Sequence, residues 1–140
     1  MKCREIMTGN PVCCLPDDSV GQAARLMRRE HISSLPIVSD ERSNTLIGIL
    51  TNRDLVTKVL AESRQPNQTA VSDVMTRTIF ACRVDDEVES AIAAMHEHGV
   101  RHLPIIDRRG RILGIISDSD TRVPTVPQRM RILTEVYRAA

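Results

Sequence analysis

The feature that most constrains this chain is an internal duplication. Residues 5–54 align with residues 73–120 once two extra residues are allowed in the first copy. Met7-Thr8 matches Met75-Thr76, Asp17-Asp18 matches Asp85-Asp86, and Met27 matches Met95. Leu35-Pro36-Ile37 matches Leu103-Pro104-Ile105, and Gly48-Ile49 matches Gly114-Ile115. Thr51 and Asp54 meet Ser117 and Asp120. The matches run along both copies, so a whole structural unit recurs and not one short motif. Residues 1–62 form the first repeat and 72–123 the second, joined by a polar, Pro-containing linker over 63–71, with a tail over 124–140.

Both copies carry the same succession of local signals. Val20, Ala23, Ala24 and Met27 fall on one face behind Asp17-Asp18-Ser19, which predicts a helix over about 19–30 and a twin over about 87–98. Ser19 with Gln22 has the capping-box spacing, and Asp86 with Glu89 repeats it. Two short β-rich runs follow, Leu35–Val38 and Leu46–Leu50, mirrored by Leu103–Ile106 and Ile112–Ile116. Their near-continuous aliphatic content predicts strands buried on both faces. Ser43-Asn44 and Gly110-Arg111 supply the turns, and a further helix is expected from Asn52 to about Glu62. The predicted class is α+β, two tandem β-α-β-β-α repeats.

Composition then excludes several functions. Nineteen basic and eighteen acidic residues leave a formal charge of +1, without the basic excess of a nucleic-acid binder. Phe80 and Tyr137 are the only aromatics, too few for base-stacking recognition of single strands. No apolar run approaches the length of a membrane span and no signal-peptide pattern is present, so a cytoplasmic protein is expected, without membrane or nucleic-acid partners. Cys3, Cys13, Cys14 and Cys82 then read as reduced thiols, with Cys14 and Cys82 as small core residues. Neither the cysteines nor His31, His96, His98 and His102 have metal-ligand spacing. No nucleophile–base constellation stands out, and no catalysis is expected.

With these residues in place the chain resembles a tandem pair of CBS domains, also called a Bateman module. The resemblance rests on "EIMT…PDDSV…HISSLPIV…LIGILTNRDL" and "DVMT…VDDEV…VRHLPII…ILGIISDSD", two copies in order over about residues 3–120. It implies a pseudo-two-fold module with two clefts and no chemistry of its own. Its regulatory ligand would be an adenosine compound: AMP or ATP first, then ADP, NAD or S-adenosylmethionine. No cofactor is required. A homodimer and an effector protein that reads the bound state are the implied partners. The other reading is a ligand-independent dimerisation or scaffold module.

The resemblance also implies crosswise clefts, in which the D-x-M-T lead-in of one repeat meets the T/S-x-x-D turn of the other. One cleft would hold Ser117, Asp120, Arg101 and His102 with Thr8, Val12, Cys13, Ile32 and Ser33. The second would hold Thr51, Asp54 and Ser34 with Thr76, Phe80, Ala81 and Val100, with Arg101 as an alternative member and Arg53 beside Asp54 as a partial offset for its missing charge. A strand-to-helix turn offers free amides and a dipole to a phosphate, and a carboxylate three residues on can accept both ribose hydroxyls. The same spacing is a capping box, and both roles can hold together. Arg101 and His102 make the Asp120 cleft the expected phosphate site, where the first copy has only Ser33-Ser34. Pro124 and Pro127 limit the helix after Ser117 to about one turn, and a new helix is expected over Gln128–Tyr137.

Overall fold

The computed structural model describes residues 1–121, so the expected 128–137 helix lies outside the described residues. The first repeat runs α1 (Cys3–Ile6), β1 (Thr8–Gly9), α2 (Val20–Glu30), β2 (Ser34–Val38), β3 (Leu46–Thr51) and α3 (Asn52–Asp54). Helix α3 widens at once into a π-helical segment over Leu55–Leu60. The second repeat runs α4 (Val71–Val74), β4 (Cys82–Arg83), α5 (Val88–His98), β5 (His102–Ile106), β6 (Ile112–Ser117) and α6 (Asp118–Thr121). The chain is α+β, with one sheet in the order β1-β6-β5-β4 and a hairpin of β2 and β3. No helix among the described residues is long and apolar enough to cross a membrane.

Local chemistry explains the helix ends. Ser19 Oγ accepts the Gln22 N–H at 3.1 Å while Gln22 Oε1 accepts the Ser19 N–H at 2.8 Å, the capping box read from the spacing. The second copy departs from that expectation. Helix α5 starts after Glu87 with no side-chain cap, and Asp86 instead accepts the Arg83 N–H at 2.8 Å. Asp18 does the same for Leu15 at 2.9 Å, so the aligned aspartates brace the turn one residue too early to cap the helix. The chain after Ser117 is helical over Asp118–Thr121, where the described residues end.

Strand burial also differs in part from the expectation. β2 is buried at every position, but β3 and β6 alternate. Their outward residues Ile49, Thr51, Ile115 and Ser117 face the clefts and so stay partly open.

The two halves interlock, and each completes the other's core. One apolar cluster joins Val20, Ala23, Met27, Leu35, Ile37 and Leu50 to Val71, Val74 and Met75 from the second repeat's lead-in. The other joins Ala91, Met95, Leu103, Ile105 and Ile116 to Cys3, with Ile6 and Met7 packed on it. Backbone bonds follow the same exchange. Val20 N–H donates to Thr69 at 2.9 Å and Val88 N–H to Met1 at 2.9 Å; Val71 N–H donates to Asp18 at 2.8 Å and Cys3 N–H to Asp86 at 2.9 Å. The hairpin turns meet as well, Leu46 N–H to Gly110 and Ile112 N–H to Asn44, both at 3.0 Å. Asn44 and Gly110 both have the positive φ that such a turn needs. These reciprocal pairs are a pseudo-two-fold relation written in hydrogen bonds. All four cysteines are free thiols, and Cys14 and Cys82 sit buried in the two cores, as expected.

Two clefts between the repeats

Each cleft is built where a lead-in strand crosses the opposite hairpin. Thr8 pairs with Ile115, and Thr76 bridges to Ile49. Gly114 and Gly48 are the points of closest approach. A Cβ at Gly114 would lie 2.5 Å from Met7 Sδ and 2.9 Å from the Thr8 carbonyl oxygen, and one at Gly48 would lie 2.6 Å from Met75 Sδ. A methionine side chain fills the space beside each glycine, and at Gly114 the Thr8 carbonyl closes it as well, so the two G-I dipeptides mark the crossings.

The Asp120 cleft encloses about 460 Å³, ample for a nucleoside-sized ligand. It brings together Thr8, Val12, Ile32 and Ser33 of the first repeat with His102, Ser117 and Asp120 of the second. Cys13 is turned away into a separate groove with Arg25 and Leu26, and its Sγ donates to the Pro11 carbonyl at 3.3 Å. Arg101 does not line this cleft either. Asn10, Glu30, His31 and Ser119 do, and were missed. Asn10 and His31 have positive φ, a backbone property their identities only weakly signal.

Asp120 is exposed. Its Oδ2 accepts the Ser117 N–H at 2.7 Å and the Ser117 hydroxyl at 2.9 Å, while Oδ1 accepts no hydrogen bond among the described residues. His102 is half-buried, and burial holds its pKa below the ordinary imidazole value. Asp120 and Asp118 pull it up, and Arg101 pushes it down.

The second cleft encloses about 480 Å³. Ser34, Thr51, Thr76, Phe80 and Val100 line it, together with Arg53 and Arg101, while Ala81 and Asp54 do not. Asp54 is 5% exposed and fully engaged. Its Oδ2 accepts the Thr51 N–H at 2.9 Å, the Thr76 hydroxyl lies 3.1 and 3.2 Å from its two oxygens, and Lys58 Nζ sits at 2.9 Å. Thr51 Oγ1 in turn accepts the Asp54 N–H at 3.1 Å, so this turn is a complete capping box. Phe80 stacks on His98, with centroids 3.5 Å apart and planes 6° from parallel. Ser33, Ser34 and His102 line both clefts, which therefore adjoin.

The charged residues are distributed differently from the expectation that put Arg101 at the Asp120 cleft, and in line with its alternative place at the second. Arg101 was expected to mark the Asp120 cleft, but the guanidinium-bearing residues, Arg53 and Arg101, gather at the other one. Phosphate capture at the α6 turn is also disfavoured, because Asp118 and Asp120 already place two carboxylates in its first turn.

Interlocked repeats with paired inter-repeat clefts define a duplicated two-cleft module. The CBS domain family pattern matches residues 3–61 and 71–122, and the chain belongs to the CBS-domain family as a tandem pair. It is 32% identical over 117 residues to Hypoxic response protein 1 of Mycobacterium tuberculosis, covering 84% of this chain and 80% of that protein. A crystal structure of Hypoxic Response Protein I with two coordinated zinc ions matches with a TM-score of 0.77 at 30% identity, over 86% of this chain and 95% of that one. Among the described residues here, no group of three or more His, Cys, Asp or Glu could hold a metal ion. The CBS pair of protein MJ0100, in complex with 5′-methylthioadenosine and S-adenosyl-L-methionine, matches with a TM-score of 0.75 at 28% identity, over 86% and 91% of the two chains. The chain spans 56% and 22% of the first curated relatives it matches; the shorter share is of an inosine-5′-monophosphate dehydrogenase from Methanocaldococcus jannaschii, 35% identical over 119 residues.

Proposed function

We propose that this CBS pair binds an adenosine-containing ligand between its repeats and reports the bound state to an effector protein, with no catalysis of its own. AMP, ADP, ATP, NAD and S-adenosylmethionine are the ligands to test. One observation carries the reading: Asp120, whose Oδ1 accepts no hydrogen bond among the described residues, lines a cleft together with Val12 and Ile32 of the other repeat. A ribose on Asp120 would place an adenine against those aliphatic side chains, so one ligand would touch both halves. The adenosyl ligands of the MJ0100 pair support the reading. Ligation across an interface favours one relative arrangement of the halves, a coupling typically worth about 1–3 kcal/mol. Free thiols fit a reducing cytoplasm. Val56 and Leu60, exposed one turn apart, fit a homodimer.

A thermal-shift panel of those five compounds tests the proposal. At least one is expected to raise the melting temperature, and Asp120→Ala to remove most of the rise given by S-adenosylmethionine, the one compound of the five without phosphate. No shift at millimolar concentration with any of them would sink it. The scaffold reading gains one specific point, since the Thr51/Asp54 turn is a helix cap and a tie between repeats. It requires Asp120→Ala to cost the same stability with and without S-adenosylmethionine.

A further inference from the structure

The two clefts share a fold, a size and three residues, yet differ in charge. Asp120 and Glu30 line one, with no arginine or lysine among its described residues. Arg53 and Arg101 line the other, with no carboxylate. Arginine ion pairs among the described residues use Arg4, Arg29 and Arg111, which leaves the Arg53 and Arg101 guanidinium groups unpaired. Their backbones are fixed: the Arg101 carbonyl accepts the Asp118 N–H at 2.7 Å and the Arg53 carbonyl accepts the Thr57 hydroxyl at 2.8 Å. Hydroxyls of Ser34, Thr51 and Thr78 face the same space. Asp54 is buried and held by Lys58 and Thr76, and Asp118, whose N–H bonds the Arg101 carbonyl, lines a neighbouring groove with Arg101 and not this cleft.

We propose that the clefts divide adenosyl ligands by charge: the arginine cleft takes a phosphorylated adenosine, and the Asp120 cleft takes an adenosyl compound without phosphate. A phosphate dianion beside Asp120 and Glu30 would meet like charge with no cation to offset it. Beside Arg53 and Arg101 it gains charge-assisted, forked hydrogen bonds. The apolar wall of Phe80, Ile79 and Val100 is there for the base, with Phe80 held in place by His98. Recognition in the arginine cleft is dominated by phosphate, because Asp54 has no free oxygen for a ribose.

This inference rests on the adenosyl reading above, and the test separates the two. Adenosine and AMP are titrated calorimetrically into the full chain, into Arg53→Gln/Arg101→Gln and into Asp120→Asn. Both arginines are exposed, and ligand-free melting curves confirm that each variant folds. The expected result is a fall of about tenfold or more in the AMP-to-adenosine affinity ratio in the arginine variant, and a rise in that ratio in Asp120→Asn. Added salt should weaken AMP far more than adenosine. If both ligands bind but the ratio ignores the arginines, or AMP fails with Asp120→Asn instead, charge division is wrong and adenosyl binding stands. If neither ligand binds the unaltered chain, adenosyl binding and this inference fall together.

Discussion

Replacing Gly114 by alanine probes the crossing of β1 over β6, where Met7 packs on the second core. The added methyl would meet Met7 Sδ at 2.5 Å, Met7 Cγ at 2.9 Å and the Thr8 carbonyl oxygen at 2.9 Å. The methionine can swing, but the carbonyl belongs to the β1–β6 pairing at Thr8–Ile115 and Gly9–Gly114 and cannot move without opening it. Overpacking of this kind costs about 1–3 kcal/mol, and a backbone contact puts Gly114→Ala near the top of that range. Reduced freedom of the unfolded chain returns about 0.4–1 kcal/mol, leaving a net loss of about 2. At Gly48 the equivalent methyl meets only Met75 side-chain atoms, at 2.6, 3.1 and 3.3 Å, so Gly48→Ala should lose well under about 1 kcal/mol. In a chain of this size the two should lower Tm by about 6 °C and less than about 3 °C respectively. Urea unfolding followed by circular dichroism measures both, and adding Met7→Ala to Gly114→Ala should recover part of the loss without restoring it. Equal costs at the two glycines, or full rescue by Met7→Ala, would refute the claim that backbone approach at β1–β6 sets the geometry.

Three further outcomes follow from the same contacts. Asp54→Ala should destabilise by about 1–3 kcal/mol, since it strips partners from the Thr51 amide and the Thr76 hydroxyl, whereas Asp120→Ala should cost less than about 1 kcal/mol without ligand; denaturant midpoints decide. Burial depresses the His102 pKa, so its stabilising contribution is complete above the unfolded value near 6.5 and is lost as pH falls through the folded value. Stability should therefore decline below about pH 6.5, and His102→Gln should flatten that slope in melting curves. Cys13, Cys14 and Cys82 are pushed up to about 11, chiefly by burial. At pH 8 only roughly one part in a thousand of each is thiolate, so an aromatic disulfide reagent should react slowly with the native chain and promptly with all four thiols in denaturant.

Most of the fold could be read from the repeat, because α2, α5 and the four hairpin strands are long enough to show periodicity. The lead-in helices α1 and α4 could not, since four residues hold barely one turn. Identical T/S-x-x-D spacing concealed the different fates of Asp54 and Asp120. Asp54 is consumed by Lys58, whose aligned position in the second copy is Pro124, and that difference was there to be seen. Arg101 misled for another reason. It lies just before β5, where no strand alternation dictates which side of the shared Ser34–His102 boundary its side chain enters. Cys13 precedes a core cysteine and lines a groove apart from the Asp120 cleft, a placement that its spacing does not encode.

The central claim is that one adenosyl ligand touches both repeats at the Asp120 cleft. Amide chemical-shift mapping during an adenosine titration tests it most directly. The account predicts saturable shifts at Asn10, Val12 and Ile32 of the first repeat together with Ser117 and Asp120 of the second, all following one dissociation constant. Shifts confined to a single repeat, or none at saturating adenosine, would contradict it.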